Sequence, residues 1–225
     1  MIEAVLFDLD GTLADSAPDL GAALNLLLAE ENRALLTLAQ TRPHTSNGVR
    51  GLLGAGFGIT PQDQKYPDLA RRFLDHYENI LCQGTCLFPG IIELLADLDQ
   101  RGLTWGIVTN KTQRFTLPLV ERLGLRQRAA CIVSGDSSAR AKPYPEPLLL
   151  ACIAAQVSPS RSLYVGDDLR DIQAGRSAGL GTVAAAYGYL GQDNPPCSWQ
   201  ADAIVAQPGE ILDLLENKFQ AKNDI

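Results

Sequence analysis

Two carboxylates stand two residues apart in the stretch Ala4-Val5-Leu6-Phe7-Asp8-Leu9-Asp10-Gly11-Thr12. The apolar run before them reads as a buried strand, from its Val and Phe content and the Gly that stops it. Side chains alternate along a strand, so Asp8 and Asp10 can face the same way. At the carboxyl end of a parallel strand they would lie where open α/β sheets bind ligands. Neighbouring like charges repel, and a divalent cation beside a reacting phosphate would relieve that repulsion. Three further clusters could join them: Thr109-Asn110, Lys142-Pro143, and Gly166-Asp167-Asp168 with Asp171. They would bring a hydroxyl, an ammonium and further acids to share a metal.

Positioning such groups requires a sheet. From Phe88 onward the apolar pattern alternates between the two periods. Helices are expected over Ile91 to Arg101, Arg114 to Leu123, Pro145 to Gln156, Leu169 to Ala178 and Glu210 to Phe219. Strands are expected over Thr104 to Val108, Ala130 to Val133, Ser162 to Val165, Gly181 to Ala185 and Ala203 to Val205. This alternation predicts a Rossmann-like, doubly wound parallel α/β sheet. Residues 15–85 differ. They show helical stripes (Leu20, Ala23, Leu24, Leu27, Leu28; later Leu69, Phe73, Tyr77, Ile80), a second helical stretch near Arg33 to Gln40, and a loop over Arg42 to Gly48. The expected organisation is a discontinuous core, 1–14 and 86–225, carrying a helical cap over 15–85.

The formal net charge of −7 argues against a basic nucleic-acid surface, so an anionic ligand needs local amides, cations or a metal. No apolar run is long enough to span a membrane and the N-terminus has no basic leader, which predicts a cytoplasmic protein. The five cysteines, 82, 86, 131, 152 and 197, complete no zinc spacing with His44 or His76 and read as reduced structural thiols.

In order and context the four clusters resemble those of the haloacid dehalogenase-like hydrolases, in the phosphatase branch with a helical cap after the first strand. The signature Asp-x-Asp-Gly-Thr is present as Asp8-Leu9-Asp10-Gly11-Thr12. The resemblance implies that Asp8 is the nucleophile forming an aspartyl-phosphate, which a carboxylate can do because it is already ionised. It implies that Asp10 protonates the leaving oxygen and then activates water. Gly11 and Thr12 would form the turn approaching the phosphate, Thr109 with Asn110 would hold a phosphoryl oxygen through a hydroxyl and backbone N–H groups, and Lys142 would stabilise phosphoryl charge and orient Asp8. Mg²⁺ would be held by the Asp8 carboxylate, the Asp10 carbonyl and Asp167, with Asp168 and Asp171 as nearby acids whose roles stay open. Closure of the cap would keep water from Asp8.

The second acid sets the chain apart from dehalogenases proper; a sugar phosphomutase of the same family and a non-catalytic binding protein on the scaffold are the alternatives. The partner implied is a small phosphorylated substrate, with specificity in the cap loop His44 to Arg50. There Arg50 could pair with a substrate carboxylate. Two groups within the family match best. Phosphoglycolate phosphatases share the run through Asp15-Ser16, then Pro18-Asp19-Leu20, and Tyr187-Gly188-Tyr189. N-acetylmuramic acid 6-phosphate phosphatases share Trp105 to Lys111, Gly166 to Ile172, Ser46 to Arg50, and Asp193-Asn194-Pro195 leading to Trp199.

Overall fold

A computed structural model describes residues 1–190 and 195–217. Its centre is β1, Ala4–Phe7, whose four side chains are all fully buried. A strand covered on both faces reads as an unbroken apolar run, and this one is flanked on both edges as well. It pairs in parallel with β4 (Thr104–Val108) on one side and β6 (Ser162–Gly166) on the other, with Ala4 opposite Thr104 and Ser162. Adding β5 (Ile132–Val133), β7 (Gly181–Ala185) and β8 (Ala203–Val205) gives a six-stranded parallel sheet of order β5-β4-β1-β6-β7-β8. The strand order reverses at β1, which makes its carboxyl end a crevice open to ligands.

Alternation along β1 divides its side chains between two faces. Val5 and Phe7 pack with Leu94 and Leu98 of α5 (Ile91–Gln100) and Leu119 of α6 (Gln113–Arg122). Leu6 points the other way, among Leu148 and Cys152 of α7 (Glu146–Ala155) and Ala174 of α8 (Leu169–Ala178). Helix α9, Glu210–Asn217, closes the described chain; the expected extension to Phe219, like Asp193 and Asn194, lies outside the described residues.

Two short strands that the sequence pattern does not show stand at the junction. β2, Ala14–Asp15, pairs antiparallel with β3, Cys86–Leu87, tying together the two chain crossings that lead out of the sheet and back. Between them all regular structure is helical: α1 (Ala17–Glu30), α2 (Leu38–Thr41), a 3-10 stretch over Arg42–Asn47, α3 (Gly48–Phe57) and α4 (Tyr66–Ile80). The helix expected near Arg33 to Gln40 shrinks to α2, started by a capping box in which the Gln40 side chain accepts from the Thr37 amide at 2.8 Å. The expected loop over Arg42 to Gly48 instead winds on as a 3-10 turn with Pro43 near its start. Leu24 and Leu27 of α1 and Phe73 and Tyr77 of α4 join the same apolar core as Phe7, so the helical insert is packed directly onto the sheet end. Among the described residues no helix is long and apolar enough to cross a membrane.

Candidate active site

The turn after β1 is built around glycine. The Asp8 amide still donates to the Val165 carbonyl at 2.9 Å, and the Leu9 carbonyl then accepts from Leu13 (3.0 Å) and Ala14 (2.8 Å). Gly11 takes φ +89°, and a Cβ there would lie 2.1 Å from Asp167 Oδ2. Only glycine permits both the dihedral and that approach. Asp167, one residue beyond β6, is thereby pressed against the turn. Its two oxygens accept from the Thr12 hydroxyl and the Tyr189 amide, each at 2.9 Å. Thr12 is therefore engaged in holding Asp167. Neither it nor Gly11 is among the residues that line the cavity above.

Lys142 arrives from the loop after β5 and is almost fully buried. Its ammonium donates to the Val108 carbonyl at 3.0 Å and the Tyr164 hydroxyl at 2.7 Å, and lies 2.7 Å from Asp171 Oδ1 and 2.9 Å from Asp8 Oδ1. Four acceptors surround three protons, and Asp8 Oδ1 is the buried oxygen left without an aligned hydrogen bond. Burial alone would favour the neutral amine, but Asp171 and Asp8 outweigh it and hold the Lys142 pKa above that of an ordinary lysine. Asn110 secures the same loop: its side chain donates to the Lys142 carbonyl (3.0 Å) and accepts from the Lys142 amide (2.9 Å). Its side chain thus positions the lysine, while Asn110 itself lines the cavity. Thr109 lines the cavity, its hydroxyl accepting from the Lys111 amide at 3.1 Å.

Asp8, Asp167 and Asp171 bring carboxylate oxygens within 4.8 Å of one another. Burial, then Asp8 and Asp171, push the Asp167 pKa far above the usual carboxylate range. Burial also raises Asp171, to about 7, although Lys142 opposes it. An all-oxygen donor set with an orphaned, buried Asp8 oxygen fits a hard divalent cation, whose charge would relieve these acids. Asp171 also accepts from the Asp168 amide at 3.0 Å as the reciprocal half of a capping box on α8. Asp168 caps that helix and grips Arg170, whose Nε and Nη2 donate to its two oxygens at 2.7 and 2.9 Å. Burial would raise Asp168, but those bonds prevail and hold its pKa below the usual range. Asp168 thus sits outside the acid cluster. Arg170 continues to the insert, donating to the Ser46 carbonyl at 2.5 Å.

Asp10 faces a different environment. Lys111 donates to its two oxygens at 2.9 and 3.1 Å, and the Ser16 hydroxyl donates to Oδ1. The sequence pattern gives its nearest charge as Asp8; the structure puts an ammonium against it instead. The Lys111 ammonium lies 4.8 Å from the centroid of the Tyr77 ring. A cavity of about 350 Å³ opens over Asp8, walled by this pair, by Arg170 and by Thr45, Ser46 and Phe73 of the insert. Arg50 is not in it. That side chain is exposed in the first turn of α3, 3.4 Å from the Asn47 side chain, and borders a separate depression with His44 and Gly54. The structure does not bring Arg50 into the cavity lining with the other expected site residues.

Several contributors are given no role by the sequence, although Asp19 and Tyr189 fall within shared runs. Tyr164 is an aromatic in an apolar strand whose hydroxyl holds Lys142. Asp19 is buried and clamps the two chain crossings, accepting from Gly84 N at 2.6 Å and Thr85 N at 3.1 Å. The Tyr189 hydroxyl accepts from the Ser16 and Ala17 amides at 2.7 and 2.9 Å, satisfying the start of α1. Lys111 could have been found, since it follows Thr109-Asn110 directly.

Residues 5–185 match the family model described as haloacid dehalogenase-like hydrolase. The chain belongs to that family. Relatives agree over nearly its whole length. It is 42% identical over 215 residues to an N-acetylmuramic acid 6-phosphate phosphatase of Pseudomonas aeruginosa, covering 96% of this chain and 95% of the relative. It is 45% identical over 208 residues to a phosphoglycolate phosphatase of Xanthomonas campestris pv. campestris, covering 92% and 94%. The crystal structure of a predicted phosphoglycolate phosphatase from Haemophilus somnus superposes with a TM-score of 0.84 at 28% identity, over 95% of this chain and 98% of that one. This haloacid dehalogenase-like chain is an enzyme, a phosphoric monoester hydrolase.

Proposed function

We propose that the chain is a Mg²⁺-dependent, cytoplasmic phosphatase that hydrolyses a small phosphorylated acid through an aspartyl-phosphate on Asp8. The observation that carries this reading is the under-bonded Asp8 oxygen on the cavity floor, between the Lys142 ammonium and the Asp167–Asp171 pair. Asp8 attacks phosphorus as the bond to the leaving oxygen breaks, and Asp10 donates a proton to that oxygen. Asp10, now a base, takes a proton from water as its oxygen attacks the acyl-phosphate, which regenerates Asp8. Lys142 balances the phosphoryl charge, and the Thr109 hydroxyl contacts a phosphoryl oxygen. Asp8, Asp167 and the Asp10 carbonyl would hold Mg²⁺, which supplies charge neutralisation at the phosphoryl oxygens. Asp171 keeps Lys142 in place, and the insert 15–85 acts as a cap that excludes water.

The relatives' names support 2-phosphoglycolate or N-acetylmuramate 6-phosphate as the substrate, both carboxylates. The test is phosphate release from a panel containing both, with and without Mg²⁺. Metal-dependent release that falls by about 10³-fold or more in Asp8→Asn supports the reading. Equal turnover by that variant, or isomerised sugar phosphate in place of free phosphate, sinks it.

A further inference from the structure

The cavity has three cations, and their partners are not equivalent. Lys142 is held by Asp8 and Asp171. Arg170 is forked onto Asp168 and tied to the Ser46 carbonyl. The third, Lys111, has a side chain only 9% exposed, and its counter-ion is Asp10. Asp10 is the acid that must turn to the leaving oxygen, and a buried ammonium abandoned by its carboxylate is strongly disfavoured. Beside it the Tyr77 hydroxyl is buried next to the Lys111 ammonium, and its proton meets no acceptor. Tyr77 itself is 1% exposed and packs at a tilt against Phe115, 5.4 Å between ring centroids. A buried hydroxyl proton left unpaired is disfavoured, so this corner of the cavity suits an acceptor.

We infer that Lys111 and Tyr77 form a two-point clamp for a substrate carboxylate on the carbon that bears the leaving oxygen. This rests on the phosphatase reading above and deepens it. The carboxylate takes one bond from the ammonium and one from the phenol, replacing Asp10 as the counter-ion of Lys111 as Asp10 turns to the ester. Because Lys111 touches Asp10 and Asp10 touches the leaving oxygen, the recognised group lies within a few bonds of the ester. That chemistry is an α-phosphonooxy carboxylate such as 2-phosphoglycolate. In N-acetylmuramate 6-phosphate the carboxylate is across the sugar ring from the ester and would not reach. A neutral ester fails twice, since it offers the clamp no anion and leaves Lys111 uncompensated.

The test compares kcat/KM for 2-phosphoglycolate with that for 2-hydroxyethyl phosphate, of similar size but uncharged at that end. The wild type prefers the acid by about 10²-fold or more. K111M lowers the ratio by about tenfold or more, chiefly through KM, and K111R keeps more of it. Y77F, which removes only the hydroxyl, lowers it by about tenfold. Variants that slow both esters alike would show that Lys111 merely orients Asp10 and would overturn the clamp. So would a wild type indifferent to the carboxylate or one preferring N-acetylmuramate 6-phosphate. Loss of metal-dependent hydrolysis of every ester, 4-nitrophenyl phosphate included, would remove the underlying phosphatase reading as well.

Discussion

Replacing Lys142 with Met should expose how the acid cluster is balanced. Its ammonium lies 2.7 Å from Asp171 and 2.9 Å from Asp8, with both lysine and Asp171 side chains 2% exposed. Removing one partner of a buried ion pair costs about 3–5 kcal/mol, because the other charge stays buried and uncompensated. In a chain of this size each kcal/mol shifts Tm by about 2–4 °C, so the metal-free variant should melt roughly 6–20 °C lower. The loss should also depend on pH. In the wild type Asp171 titrates at about 7, where burial raises it and Lys142 opposes. Without Lys142 its pKa climbs further, so above about pH 7 the variant's native state binds a proton that the wild type has released. The unfolded chains titrate alike, and the stability gap therefore widens by up to about 1.4 kcal/mol per pH unit above pH 7. Denaturant unfolding of both proteins in chelator at pH 6, 7 and 8 measures it. A gap below 1 kcal/mol, or one that narrows as pH rises, would refute the reasoning.

Metal and pH should be linked in the wild type too. Asp167 and Asp171 have raised pKa values, so protons compete with Mg²⁺, and the Tm increment from Mg²⁺ should be larger at pH 8 than at pH 6; a pH-independent increment contradicts this. Asp19→Ala strands the Gly84 and Thr85 amides and should cost about 2–4 kcal/mol, with faster proteolysis near residues 82–86 measured against intact controls. Arg50→Ala should leave kcat/KM for the preferred substrate within about twofold, as expected of an exposed side chain outside the cavity; a tenfold fall would return Arg50 to the site.

Strand ends were legible because β1 is apolar over four consecutive residues and then stops at Asp-x-Asp-Gly, a pattern that fixes both burial and position. The parallel sheet followed from alternation of the two periods. The β2–β3 pair was not legible, since two residues per strand leave no periodicity to detect. Within the site, spacing places a residue at a strand end but does not say which neighbour takes its hydrogen-bonding capacity. Thr12 and Asn110 belong at the site, yet Asp167 and the Lys142 backbone occupy their side chains. Asp168 is drawn off by Arg170, two residues along the same chain. Arg50 lies in the first turn of α3, exposed and outside the cavity lining, and spacing alone does not say which way a side chain leaves the start of a helix.

The central claim is that phosphate passes through Asp8. Asp10→Asn removes the base for dephosphorylation, and 4-nitrophenyl phosphate has a leaving group that needs no proton. With that variant, ester and Mg²⁺, acid quenching followed by peptide mass analysis should find one phosphoryl group on the peptide containing Asp8. Turnover by the wild type without any phosphorylated Asp8 peptide in the quenched variant, or a phosphoryl group mapped elsewhere, would contradict the account.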